Sequence, residues 1–508
     1  MSSTINMQRV AKNTILLYIR MFFVLIVTLY TSRVILKVLG VSDYGVFNVV
    51  AGAVALFGFM KNAMTMATQR FLNCEMPKND IIHLRNVFNT ALNIHVIVSL
   101  VVVLFAESFG LWLVCNVLNI PEGRLYAAKW VYQIVIINTF ISIIQVPFNS
   151  VIIAHERMDF YAYISIIETV LKLGIVFLLI KLPGDKLIIY SFLLFLVHFL
   201  IFLAYYIYTT KHFQESKPKF VWDKGMLKEM SGFLGWNICG QVAQMLTTQG
   251  VNMVVNVFHG VLLNAAIAVT NQVNGAIHMF VANFQTSFRP QIMKSFAAQE
   301  YDGMRKLIYT SSKISFFLLY VISIPILFNI DLVLDVWLDN VPDYSAVFCT
   351  LLIWYSYLEA IGLPLVMAIM ASGKNRDYQI FVSLAISLNL LLVWLFMRLG
   401  FSPQYIFYVK IAISFLVMAV RLFFAKRQAF IQPKDFISNT IFPIFFVLVL
   451  TQSVYYLMQE FLYKGSIVNK IGLTIILEII TVLSIYFLGT KKTEKNYLKS
   501  MILKKIKK

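Results

Sequence analysis

Arg20, Arg33 and Lys61 stand inside long apolar runs with no acidic residue in those runs to neutralise them. A cation at the centre of a membrane helix costs roughly 2.5 to 3.5 kcal/mol on insertion scales, so such residues face a wet cavity or a partner rather than lipid. Arg20 is six residues from the inner end of its run, Lys61 about eight from the inner end of the next, and Arg33 is near an outer end. The three form a cationic ladder. Arginine grips phosphate through paired hydrogen bonds and lysine acts as a point charge, so the ladder suits a diphosphate. The competing reading is that Arg33 and Arg20 snorkel to the outer and inner headgroups.

A second set of polar residues occupies 232–288, which lacks cations but is rich in amides, among them Gln241, Gln244, Asn252, Asn271 and Asn274. Gln241 and Gln244 are one helical turn apart, as are Asn271 and Asn274, so parts of the set share a face. Amides are poorly satisfied in lipid, and these are expected to meet water, sugar hydroxyls or neighbouring helices. Interhelical bonding that merely holds the bundle is the alternative. Of the acids at membrane depth, Glu168 has Lys172 four residues on, in the favourable order for a local pair. Glu359 and Glu478 have no partner in sequence, which makes Glu359 a candidate for coupling to Na+ or H+; pairing with a cation such as Lys410 is the rival.

Enzyme signatures are missing. The stretch AHERMD lacks the second histidine of a zinc helix, and ASGKN lacks the upstream glycine and the Ser/Thr of a phosphate loop. The four cysteines have no metal-ligand spacing, so no cofactor is expected.

The elements that must position these residues are membrane helices. Hydrophobic residues make up 59% of 508 and charged residues 13%. Mean hydropathy is +0.77. Runs of about 20 apolar residues span a bilayer core, and fourteen are read, near 14–38, 45–69, 86–106, 126–150, 160–181, 187–209, 232–257, 265–288, 313–334, 347–371, 378–398, 403–425, 437–458 and 467–489. The first is too long for a signal-peptide core and has no small-residue cleavage site after it. With the N-terminus inside, the inner segments hold 30 of the 43 Lys and Arg, and the outer loops seven. Both termini are therefore expected in the cytoplasm. The net charge of +19 needs no nucleic acid, because the basic residues sit on short loops at one membrane surface. The tail, with Tyr497, Leu498, Met501 and Ile502 among lysines, suits an interfacial helix on anionic lipid, and 107–120 is expected to lie flat at the outer surface.

An internal repeat organises the spans. LGVSDYG joins spans 1 and 2 and is followed by Arg70; FHGVLLNAA joins spans 7 and 8 and is followed by Arg289, an offset of about 220 residues. The expected organisation is all-α: a six-helix lobe over 1–209, a cytoplasmic linker at 210–231, a parallel six-helix lobe over 232–427, an extra helix pair at 428–489 and a basic tail at 490–508. Substrates of such paired lobes bind near the midplane.

Four stretches in order, LKVLGVSDYGVFNVVAG with MATQRFL, QVPFNSVIIAHERMDFYAYISIIETVLKLG, FLGWNICGQVAQMLTTQGVNMVVNVFHGVLLNAA and NFQTSFRPQIMKSFA, resemble the polysaccharide-flippase branch of the multidrug/oligosaccharidyl-lipid/polysaccharide (MOP) superfamily. The likeness covers about residues 10–430. Similar chains often carry NAARGIA where this one has NAAIAVT, so Ile267 replaces an arginine. The resemblance implies a monomeric carrier in the bacterial inner membrane that moves undecaprenyl-pyrophosphate-linked repeat units for O-antigen or capsule. It would do so by alternating access, beside glycosyltransferases and a polysaccharide polymerase. The alternatives are a cation-coupled drug antiporter of the same superfamily and a membrane scaffold that transports nothing.

Overall fold

A computed structural model describes residues 7–55, 58–116, 123–221, 223–338, 341–462, 467–491 and 495. Among them there is no strand, as expected for chain in lipid, where each helix satisfies its own backbone groups. The helices are α1 (Met7–Ala55), α2 (Gly58–Glu75), α3 (Ile81–Phe105), α4 (Leu111–Asn116), α5 (Leu125–Ala154), α6 (Met158–Lys181), α7 (Lys186–His212), α8 (Lys224–Ala297), α9 (Tyr301–Phe328), α10 (Ile330–Trp337), α11 (Ser345–Ala371), α12 (Arg376–Arg398), α13 (Tyr405–Ala429), α14 (Pro433–Phe436), α15 (Phe442–Leu457) and α16 (Ile467–Ser484). Among the described residues ten helices are long and apolar enough to cross a membrane. The chain is an all-α, multi-pass membrane protein.

The other expected spans lie in longer runs. Spans 1 and 2 occupy α1 and α2, with a kink where Gly40 takes φ 78° and ψ 165°. Spans 7 and 8 both fall in α8, whose 74 residues would stretch about 111 Å if straight, several times a hydrocarbon core of about 30 Å. The segment expected to lie flat from 107 instead begins by prolonging α3, through a π turn at Ala106–Gly110, before α4. The tail positions Tyr497, Leu498, Met501 and Ile502 lie outside the described residues.

Two compact units divide the chain, 11–241 and 242–508, the latter together with 1–10. In the first unit α5 packs against α2, α3 and α7, around a core that includes Val50, Ala128, Val131 and Tyr132. Arg124 ties its ends together: it binds Asp43, just past the α1 kink, and Asp185 at 2.7 Å. Asp185 also caps α7 by accepting from the Leu187 and Ile188 N–H groups. The stretch 213–221 is fastened to the same unit. His155 and Glu215 meet at 2.5 Å, Asn93 donates to the Val221 carbonyl at 2.8 Å, and the Lys219 N–H donates to Asn89 at 2.6 Å.

In the second unit α11 is the buried helix, packed on α9 and α13. The last pair joins this unit through α9: Tyr320 and Thr451 hydroxyls meet at 2.5 Å, and Asn329 donates to Thr474 at 2.8 Å.

Candidate functional site

Each unit encloses its own polar cavity, and the residues singled out from sequence divide between them. The first-unit cavity, about 500 Å³, is lined from α5 by Asn138, Ser142, Gln145 and Asn149, from α6 by Tyr161, Ser165 and Glu168, from α7 by Ser191, His198 and Tyr205, and by Lys61 of α2. Its size falls within the roughly 300 to 1,000 Å³ of small-molecule sites. The α5 residues recur at intervals of four, three and four, so they stand in one row along the helix. Pro147 sits between the last two and removes one backbone hydrogen bond from the helix at that level.

The charged residues of the wall are Lys61 and Glu168, and the glutamate is already paired. Lys172 donates to Glu168 at 2.6 Å, and His198 lies 3.9 Å from the same carboxylate. The Lys61 side chain is exposed into the cavity and has no ion-pair partner among the described residues. The Arg20 guanidinium lies 4.8 Å from the centre of the Tyr161 ring, which itself lines the wall. The structure thus places Lys61 in the cavity wall and Arg20 against the Tyr161 ring of that wall, outside the lining itself. The side chain of Arg33, the third member of the ladder, lies outside the described residues.

The second-unit cavity is smaller, about 90 Å³, and is lined by Gln244, Thr247, Thr248 and Asn252, then Ile267 and Asn271, all of α8, and by Tyr355, Glu359, Asn389, Lys410, Ser414 and Arg421 from α11, α12 and α13. Three of the five predicted amides, Gln244, Asn252 and Asn271, are in its wall. Asn274 is held nearby, accepting from Ser356 at 2.6 Å. Gln241 is the last residue of the first unit and lines neither cavity. Ile267, where similar chains carry arginine, is buried in the wall.

Glu359 does have a partner, and it is Arg421 rather than Lys410. Arg421 donates from both terminal nitrogens to the two Glu359 oxygens, at 3.1 and 2.9 Å. Arg421 lies well inside α13, which runs on to Ala429, and its side chain is buried. Gly362 makes the fit possible, since a Cβ there would stand 2.5 Å from an Arg421 terminal nitrogen. Lys410 lies over the Tyr355 ring, 4.5 Å from its centre. Among the described residues no three His, Cys, Asp or Glu side chains converge as a metal site would require.

The arrangement provides one roomy cavity with an unpaired lysine and a row of amides and hydroxyls, and one tight cavity built on a buried ion pair. The α5 row was missed in the sequence analysis, although its spacing of four, three and four is a signal that could have found it. Arg421 was missed as the Glu359 partner because it lies 62 positions away on another helix.

No protein-family model and no curated protein matches the sequence. Solved structures do. A MATE transporter in its straight conformation superposes with a TM-score of 0.69 at 12% identity, over 83% of this chain and 95% of that one. An outward-facing multidrug resistance MATE transporter of the MOP superfamily gives 0.67 at 12% over the same shares. A MOP superfamily transporter from Pyrococcus furiosus, described as having a binding pocket of reverse polarity that suggests a different function, gives 0.64 at 12%, over 86% and 99%. At these identities the likeness is one of fold: the chain has the fold of the MATE transporters.

Proposed function

We propose that this protein is a flippase that carries a lipid-linked, pyrophosphate-bearing oligosaccharide from the inner to the outer leaflet of the bacterial cytoplasmic membrane by alternating access. The observation that carries this reading is the charge around the first-unit cavity: Lys61 stands in the wall without an ion-pair partner among the described residues, the Glu168 carboxylate in the same wall is already bound by Lys172, and Arg20 packs on the Tyr161 ring of the wall. A pyrophosphate gains from those cations, while the Asn138 to Asn149 row offers donors and acceptors to sugar hydroxyls. The resemblance of four sequence stretches to polysaccharide flippases points the same way.

A cation-coupled drug antiporter is the second reading, favoured by the fold shared with MATE transporters. Cavity charge weighs against it. At an effective dielectric constant of about 20, two like charges 4 Å apart repel by about 4 kcal/mol, so a cationic drug would be held off Lys61. Polarity is also the property by which the Pyrococcus furiosus neighbour is set apart.

Membrane potential supplies a drive without ATP. Two negative charges moving outward gain roughly 4 to 5 kcal/mol at 100 mV, at about 2.3 kcal/mol per charge. Coupling of Na+ or H+ through Glu359 would first have to open its bidentate bond with Arg421, so we assign the main drive to the potential.

Deletion of the gene tests the reading. Lipid-linked repeat units should accumulate on the inner leaflet and surface polysaccharide should thin, with tolerance to cationic dyes unchanged. Intact surface glycan with lost dye tolerance would replace the flippase by the antiporter.

A further inference from the structure

The second-unit cavity contains a charge that the proposed function does not use. Of its three charged side chains, Arg421 and Glu359 neutralise each other through two hydrogen bonds. Lys410 remains. Its Nζ lies 4.5 Å from the centre of the Tyr355 ring and has no hydrogen-bond or ion-pair partner among the described residues. A ring face attracts the ammonium but offers no lone pair, so the ammonium's N–H donors stay available.

A second group in the same wall is also unmet. Asn389 is only 8% exposed, and its Oδ1 is buried without a hydrogen-bond partner. Buried polar groups are nearly always bonded in folded proteins. Half a turn of the amide presents either oxygen or NH2, so Asn389 serves a ligand acceptor as readily as a donor. Asn271 and Asn252 line the same space and extend the donor set.

Size and charge then select the ligand. About 90 Å³ of water-accessible space, where one water needs about 10 to 15 Å³, has room for a halide or a short carboxylate and too little for an oligosaccharide. One uncompensated positive charge matches one negative charge. A pyrophosphate is too highly charged for it.

We propose that the second unit binds a small monoanion at Lys410, beside Tyr355 and Asn389. Its source is either free solution, as chloride or a short carboxylate, or an acidic sugar whose single carboxylate enters the cavity. The site does not rest on the flippase reading, because nothing in it depends on what the first-unit cavity carries.

The full chain, purified in detergent with sulfate as the only buffer anion, is titrated with chloride, acetate or glucuronate at constant ionic strength while its thermal midpoint is followed. A saturable rise is expected, with Lys410→Gln weakening the half-saturating concentration at least tenfold and Lys410→Arg retaining most of it. Saturation by chloride or acetate assigns a free anion; saturation by glucuronate alone assigns the sugar-borne one. Asn389→Leu should weaken binding about threefold, and it decides the matter if Lys410→Gln does not fold. The proposal is overturned if the parent protein shows no saturable response to any of the three, or if Lys410→Gln, or Asn389→Leu in its place, responds like the parent.

Discussion

The two cavities use corresponding helices and interchange a pair of residues. Asn138 on α5 and Glu359 on α11 are 221 positions apart, and so are Glu168 on α6 and Asn389 on α12. All four are wall residues. The first unit therefore has amide then carboxylate on successive helices, and the second has carboxylate then amide. Moving the acid by one helix changes its partner. Glu168 is answered by Lys172 one turn along its own helix, with both side chains about one-third exposed; Glu359 is answered from α13 by Arg421, with the pair largely buried. An exposed local pair contributes little and breaks at little cost, whereas removing one member of a buried pair is strongly destabilising. One cavity is thus free to rearrange its charges, and the other is held by them.

The largest expected effect lies in the first cavity. Lys61→Gln should cut export of lipid-linked glycan roughly ten- to a hundredfold, the loss of one charge-assisted contact worth about 1.5 to 3 kcal/mol, with abundance near normal. Surface polysaccharide and protein level in complemented deletion cells measure both. Normal export would mean that this cation does not meet the cargo.

Stability is where the second cavity should answer. Arg421→Gln or Glu359→Gln alone should destabilise the purified protein by about 3 kcal/mol, because each leaves a charge buried without its partner. Joint replacement by Met and Leu should recover most of the loss. If Glu168→Gln, the counterpart in the first unit, costs as much as Glu359→Gln, the contrast between the two cavities collapses.

The smallest effect concerns the stretch that fastens across α3 and α5 in the first unit. Burial would raise the Glu215 carboxyl, but hydrogen bonds from His155 and its own backbone N–H hold it below the usual glutamate range. A carboxylate lowered in the fold adds stability above its ordinary value near 4.5 and loses it as pH falls through the lowered one. Glu215→Gln should therefore flatten the decline of thermal midpoint below about pH 4.5, by about 1 kcal/mol or less. An unchanged acid limb would show that the contact carries no weight.

Much of this was legible beforehand, for reasons that differ by residue. Apolar runs of about 20 residues are dictated by bilayer thickness, and the ten clear spans follow directly. Lys61 stood out because an uncompensated cation in such a run has few places to go. The partition into two cavities was not legible: amides and cations look alike in composition wherever they project, and only packing assigns Gln244, Asn252 and Asn271 to one unit and Lys61 to the other. The Glu359 partner was missed because it lies 62 positions away on another helix, a separation that no local rule reaches.

Gly40 has a consequence of another kind. At φ 78° and ψ 165° the backbone occupies a region essentially reserved for glycine. Nothing lies within 4 Å of where a Cβ would be, so the exclusion comes from the chain itself and not from any neighbour. No compensating change in a contacting side chain can relieve it. A cavity-wall residue can be exchanged if the side chains it touches change with it; this position has no such route. The constraint here is set by backbone geometry alone.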